Sequence, residues 1–242
     1  MKVLILDTET TGLREDPNAT TIEIAYALFD TTLMQVVNVL SYVMVHDENP
    51  KEHVNGISPQ LLLAESGAVT PKTGFRTLRK NIDRWGVGAI LAHNVAFDKF
   101  FIEKGFDQYE LGPLDVTWVC TVRDIVYPSQ TSSRKLSHLM VDHGLPVLGY
   151  HRAVSDVLML CHLLQKVDNL SDQIRDAMQP LWTVEAIVGF DNKDLAKEAG
   201  FMWHPDTKRW LKSVRAESAQ AATDRAKGEA IFPVKLVENV SV

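Results

Sequence analysis

The chain has 242 residues, 45% of them hydrophobic and 23% charged, so it can bury a sizeable core and has room for one large domain and a small appendage. Its formal charge of -6 denies it a general basic surface and leaves a nucleic-acid partner only a local positive groove or a metal at the phosphate. No apolar run is long enough to span a membrane and no signal arrangement opens the chain, so the expectation is a cytoplasmic protein in which Cys120 and Cys161 are buried free thiols.

Val3, Leu4, Ile5 and Leu6 form a short branched apolar run, the pattern of a strand buried on both faces. The run stops on Asp7-Thr8-Glu9, whose acids stand at i and i+2 and share one face of an extended segment. Two carboxylates so placed raise each other's pKa unless a cation neutralises them, and a hard divalent ion, Mg²⁺ or Mn²⁺, is the group that prefers such oxygens. The competing reading makes Asp7 and Glu9 the start of a polar loop that turns at Thr10-Thr11-Gly12.

Residues 13–19 read as a loop with a proline turn, and residues 20–29, TTIEIAYALF, as a strand with Ile22, Ile24 and Tyr26 on one face. Glu23 on its other face reads as an edge or helix-facing polar residue rather than a ligand. Residues 34–45 give a third strand, and the short connections make the three an antiparallel meander. Next come the loop HDENPKEHVNGIS, a short helix from Pro59, a loop over 67–73, and an amphipathic helix over 75–85 that presents Phe75, Leu78, Ile82 and Trp85. Ala89-Ile90-Leu91-Ala92 is a buried strand that ends on His93-Asn94, before a helix over 95–104. An extended run around Leu114-Asp115-Val116 precedes helices over 117–125, 135–143 and 153–166. The sum is an α/β fold, a mixed sheet flanked by helices, without a phosphate loop or dinucleotide fingerprint.

Residues 169–180 read as a connector and residues 181–215 as a small module of strand, helix and hairpin, with 216–242 as a helical or extended tail whose end is either loose or an added edge strand. So little chain has a marginal core, so the module is expected to pack on the larger domain. In it His204, Lys208, Arg209, Lys212 and Arg215 interleave with Trp203 and Trp210. That mixture suits phosphate binding and base stacking, or else the tryptophans are simply the module's core.

Two further acids stand in informative places. Asp98, in HNVAFDKFFI, opens a helix directly after a short buried strand, where α/β sheets gather active groups, although capping alone also puts acids there. Asp156, in HRAVSD, begins a strongly apolar helix and is costly there if buried and unpaired. A metal shared with Asp7 and Glu9 would supply its partner, and His151 could project over the same site as the side chain suited to take a proton from water. The other reading leaves His151 at the helix start and Asp156 on a wet edge.

DTETTG, HNVAFD and HRAVSD, in that order and in those strand and helix settings, resemble the three motifs of the DEDD 3′–5′ exonuclease superfamily, and the histidine spacing is that of its DEDDh branch. The likeness covers about residues 1–168, and TWVCTVRDI with KLSHLMVDHGL is nearer the exonuclease X type than the proofreading subunits of bacterial DNA polymerase III. It implies a ribonuclease H-like fold in which Asp7, Glu9, Asp98 and Asp156 bind two Mg²⁺, with Mn²⁺ as a substitute, and His151 is the general base. Asp7 would bridge the ions, Glu9 and Asp156 serve the one that activates water, and Asp98 serve the second. The implied activity is 3′–5′ exodeoxyribonuclease, releasing nucleoside 5′-monophosphates from single strands or frayed duplex ends in replication, repair, proofreading or phage DNA metabolism. An exoribonuclease of the same fold is the alternative, and an inactive nucleic-acid-binding protein a third reading.

For substrate, Thr8, Thr10 and Leu13 are expected beneath the terminal nucleotide, Asn55 and Ile57 in a loop covering it, and Phe97 as a wedge near its base. Asn55 stands where polymerase-associated members often have histidine. Lys208 and Arg209 are the expected contacts to longer DNA. A replication or repair protein partner, and monomer or homodimer, are both left open.

Overall fold

The computed structural model describes residues 1–129, 133–149 and 151–237. Its first strand, β1 (Lys2–Thr10), carries the opening apolar run past both acids and pairs antiparallel with β2 (Thr21–Asp30), which in turn pairs antiparallel with β3 (Gln35–Val43). A short α1 (Glu52–Asn55) and two 3-10 turns lead to α2 (Pro71–Trp85). That helix is the crossover that lets β4 (Ala89–Ala92) lie parallel to β1, with Leu4 opposite Ile90. Then come α3 (Val95–Gln108), β5 (Thr117–Cys120) parallel to β4, α4 (Leu136–Asp142), α5 (Ala153–Leu164) and α6 (Leu170–Ala177). The order β3-β2-β1-β4-β5 is a mixed sheet of ribonuclease H-like topology with helices on its faces.

Side-chain parity along β1 decides what each face meets. Leu4 and Leu6, with Ile24, Tyr26 and Leu28 of β2, join Phe75, Leu78 and Ile82 of α2 and Ile102 and Phe106 of α3 in one core. The odd positions, Val3 and Ile5 with Ala25 and Ala27 of β2, are fully buried on the opposite face, the one α5 covers. Hence β2 is buried along nearly its whole length instead of alternating, because helices cover both faces. The α2–α3 contact is close at Gly105, where a Cβ would clash with the ring edge of Phe75.

The helix expected over 117–125 is not formed. Thr117–Cys120 is a strand, with Ala89 opposite Thr117 and Leu91 opposite Val119, so the β-branched and aromatic content of TWVC prevails over a short helical period. Cys120 and Cys161 are both buried free thiols, the former on this strand rather than a helix. Helix α2 starts at Pro71, inside the expected 67–73 loop, because Thr70 caps it by accepting from Thr73 N and Pro71 needs no donor at the first turn. The loop HDENPKEHVNGIS contains α1, which ends on Gly56 in the left-handed conformation.

The chain divides into two compact units, Met1–Ile174 and Arg175–Val242, with the division inside the 169–180 connector. In the second, β6 (Leu181–Ala186), α7 (Lys193–Glu198), β7 (Met202–His204), β8 (Arg209–Arg215), α8 (Ala219–Glu229) and β9 (Val234–Leu236) build a sheet of order β7-β8-β6-β9. The stretch expected as a tail supplies α8, whose Ala222 and Ala226 are wholly buried in this unit's core, and β9, which pairs with β6 as an edge strand. Residues 238–242, the end of that stretch, lie outside the described residues. Among the described residues no helix is long and apolar enough to cross a membrane.

Candidate active site

A cleft of about 320 Å³ opens in the first unit where β1 ends, and Asp7, Glu9, Asp98, His151 and Asp156 all line it. The acids reach it from both layers. Asp7 and Glu9 point to the α5 side of the sheet, where Asp156 sits on the first turn of α5, and carboxylate oxygens of these three lie within 4.8 Å of one another. Asp98 comes from the first turn of α3 on the other face and is tied to β1 between the two acids: its Oδ1 accepts from Thr8 N at 3.0 Å and Thr8 Oγ1 at 2.8 Å.

Electrostatics make this arrangement costly without a cation. Burial, then the neighbouring Asp98, Asp156 and Glu9, holds Asp7 well above the usual carboxylate range. Burial and Asp156 push Glu9 up to about 8. Burial raises Asp98 to about 7 although the two Thr8 hydrogen bonds pull it down. Asp156 is raised by burial, against the opposing influence of His151 and the backbone N–H groups of His151 and Arg152. Three converging carboxylates whose ionised forms are disfavoured fit a hard divalent ion, which would neutralise them with oxygen ligands.

The segments that carry Asp98 and Asp156 are held by backbone and by buried polar groups. Asn94, just before α3, and His151, two residues before α5, are non-glycine residues in the left-handed conformation, with φ of 75° and 57°. Glu23, wholly buried opposite Glu9 on β2, fixes the start of α5. Its carboxylate accepts from Arg152 Nε and Nη2, both at 3.0 Å, from Ala153 N at 3.1 Å and from Ser41 Oγ at 3.1 Å. The helix-facing reading of Glu23 therefore holds, but its role as the anchor of the HRAVSD segment was not legible. The one available signal is a carboxylate inside an otherwise apolar strand.

Of the expected substrate contacts, Thr8, Thr10, Leu13, Asn55 and Phe97 line the cleft. Thr8 spends its hydroxyl on Asp98, and Thr10 donates its own to Gly12 O at 2.7 Å. Leu13 is 59% exposed and available to a ligand, and Phe97 is half-buried with its ring 4.9 Å from that of Phe101. Asn55 is a bracket: its Oδ1 accepts from Asn49 Nδ2 and Ile57 N, and its Nδ2 donates to Thr10 O, which ties the covering loop to the end of β1. Ile57 does not line the cleft. It is wholly buried with Ile22 and Leu62, and the loop's backbone is what it fixes. Lys208 and Arg209 belong to the second unit.

Lys51, Val54, His93 and Leu136 line the cleft without having been singled out. Lys51 and Val54 belong to the same loop as Asn55. His93 is committed to the framework. Its Nε2 lies 2.8 Å from Arg134 O, which can only accept, so the proton sits there, and its Nδ1 lies 3.0 Å from Thr121 Oγ1, while burial lowers its pKa.

A family model described as an exonuclease, of the RNase T type, matches residues 4–164, which include all five of the converging side chains. The chain belongs to this exonuclease family. Solved structures similar to it include exonuclease X in complex with 5′-overhanging duplex DNA, at 22% identity and a TM-score of 0.50, covering 73% of this chain and 96% of that one. The nuclease domain of 3′hExo, a DEDDh family member bound to rAMP, is 15% identical with a TM-score of 0.56 and covers 73% and 93%. E. coli exonuclease I with a dT13 oligonucleotide is 17% identical with a TM-score of 0.60 and covers 98% and 63%. At these identities the likeness to other exonucleases is one of fold, and the chain spans just under two thirds of the exonuclease I structure. Among curated proteins none matches.

Proposed function

We propose that the protein is a metal-dependent 3′–5′ exodeoxyribonuclease that releases nucleoside 5′-monophosphates from the 3′ ends of single-stranded or frayed DNA. The observation that carries the reading is the convergence of Asp7, Glu9 and Asp156 within 4.8 Å in a cleft that Asp98 and His151 also line. Asp7, Glu9 and Asp156, with Asp98, would hold two Mg²⁺, and Mn²⁺ in their place, which when bound supply Lewis acidity toward water and neutralise charge on the phosphodiester.

The chain's own residues then divide the remaining work. His151 takes the proton of the attacking water. His151 lines the cleft together with the acids, whereas His93 is held by Arg134 O and Thr121 Oγ1 as part of the framework. Thr8 keeps Asp98 oriented through paired donors. Leu13 and Phe97 offer apolar faces to the terminal base, and the Asn55 bracket holds the loop that covers it. Lys51 offers a cation to the phosphate backbone.

The test is Mg²⁺- or Mn²⁺-dependent release of mononucleotides from end-labelled DNA and RNA oligomers, with Asp7→Ala and His151→Ala beside the parent. Loss of release in both variants is expected, and Asp7→Ala acting like the parent would sink the proposal. The same five side chains would serve an exoribonuclease, and the similar fold of a 3′-exonuclease that recognises a histone mRNA stem-loop keeps that reading alive. A strong preference for the RNA oligomer would establish it instead.

A further inference from the structure

The second unit contains a hollow of about 270 Å³ lined by Trp203, Trp210, Ile187, Lys208, Arg209 and Glu185, among others. Trp203 and Trp210 stand opposite each other across β7 and β8, with ring centroids 5.5 Å apart and planes inclined at 53°. The two indoles are not equivalent. Trp210 is half-buried and packs on the unit's core, whereas Trp203 is 47% exposed and is absent from that core. One tryptophan is accounted for by folding and the other is not.

The basic residues divide the same way. Lys212 donates to Ala199 O and ion-pairs with Glu229, and Arg215 donates to Gln179 O, so both brace the unit. Lys208 and Arg209 are exposed at the hollow. Glu185 Oε2 lies 3.2 Å from Lys235 Nζ and 3.7 Å from Arg209 Nε without accepting a hydrogen bond from either. One carboxylate therefore faces two cations, and Lys208 makes the surroundings positive overall.

We propose that this hollow is a second nucleic-acid site, which takes an unpaired base of a single-stranded polynucleotide against the indole of Trp203 and the adjoining phosphates on Lys208 and Arg209. That the ligand is a nucleic acid rests on the nuclease reading above; the hollow is lined by residues of the second unit alone. An exposed indole beside a guanidinium and an ammonium offers stacking and charge together, and stacking is indifferent to sequence because every base has a π-face. A duplex keeps its bases stacked on each other and has none to give. A proline-rich peptide would use the indoles and leave the cations without a role.

The experiment is fluorescence anisotropy of a labelled oligothymidylate with the full chain in EDTA, across a salt series, against a duplex and a polyproline peptide. Trp203→Ala should weaken single-strand binding roughly tenfold with the salt dependence kept, and Trp203→Phe should restore most of it. Lys208→Ala and Arg209→Ala should each lower the salt slope by about one. Trp203→Ala binding as tightly as the parent overturns the site whether or not the parent degrades DNA, and so does a Trp203→Ala variant that loses only the peptide. A parent that cleaves nothing in Mg²⁺ yet loses oligothymidylate affinity on Trp203→Ala would instead remove the nuclease reading and leave the site standing.

Discussion

Glu23 and Arg152 form an ion pair whose two halves are unequally buried, and that inequality predicts unequal costs. The Arg152 side chain is 37% exposed and that of Glu23 is wholly buried. Arg152→Ala leaves a desolvated carboxylate with only Ala153 N–H and Ser41 Oγ–H as donors, and should cost about 3–5 kcal/mol. Glu23→Gln leaves a guanidinium that can turn to water and an amide oxygen that can still accept, and should cost about 1–2 kcal/mol. Urea denaturation in EDTA reads both, and the double variant Glu23→Gln/Arg152→Ala should lose less than the two single losses combined. Because the pair fixes the start of α5, both single variants should also lower nuclease activity through His151 and Asp156 while leaving the acids of β1 in place. Glu23→Gln proving as costly as Arg152→Ala, or costlier, would refute the assignment of the buried charge to Glu23.

The raised carboxylates make a pH prediction for the metal-free protein. With Glu9 up at about 8 and Asp98 at about 7, the folded state holds protons that the unfolded state has lost above the ordinary carboxylate range. Stability is therefore full below about pH 4 and falls as pH rises, up to about pH 7 for Asp98 and about pH 8 for Glu9. Thermal melts in EDTA should show this fall and Mg²⁺ should abolish it; a melting temperature that rises between pH 5 and 8 in EDTA would contradict it. Asp7→Asn removes a buried group whose ionised form is disfavoured, so at pH 8 the metal-free variant should melt at a higher temperature than the parent while losing stabilisation by Mg²⁺, as calorimetry would show. Thr8→Val takes the hydroxyl from Asp98, and the acidic limb of the pH–rate profile should move up by about one unit, with Thr8→Ser restoring it. Gly105→Ala should cost about 1–3 kcal/mol in denaturant, and Phe75→Leu in the same chain should recover part of it.

What could be read from the sequence was what is encoded locally. The β1 run with its i, i+2 acids, the meander, and the helices that open near Asp98 and Asp156 each show in a few adjacent residues. Four-residue TWVC is too short for any period to separate strand from helix, and its pairing partner Ala89–Ala92 lies far away in sequence, so β5 is not legible from its own residues. The roles of Glu23 and Asn55 were hidden for the same reason. Each depends on a partner brought near only by the finished sheet, Arg152 for one and the end of β1 for the other.

Thr8, lying between two acids and gripping a third by both its amide and its hydroxyl, welds the helix of Asp98 to the central strand. Asp7, Glu9 and Asp98 thus form a fixed jaw, and Asp156 alone rides on a part that is clamped separately, from β2. A wedge that spread α5 from the sheet would therefore draw Asp156 away from the other three acids and leave the spacing among those three unchanged.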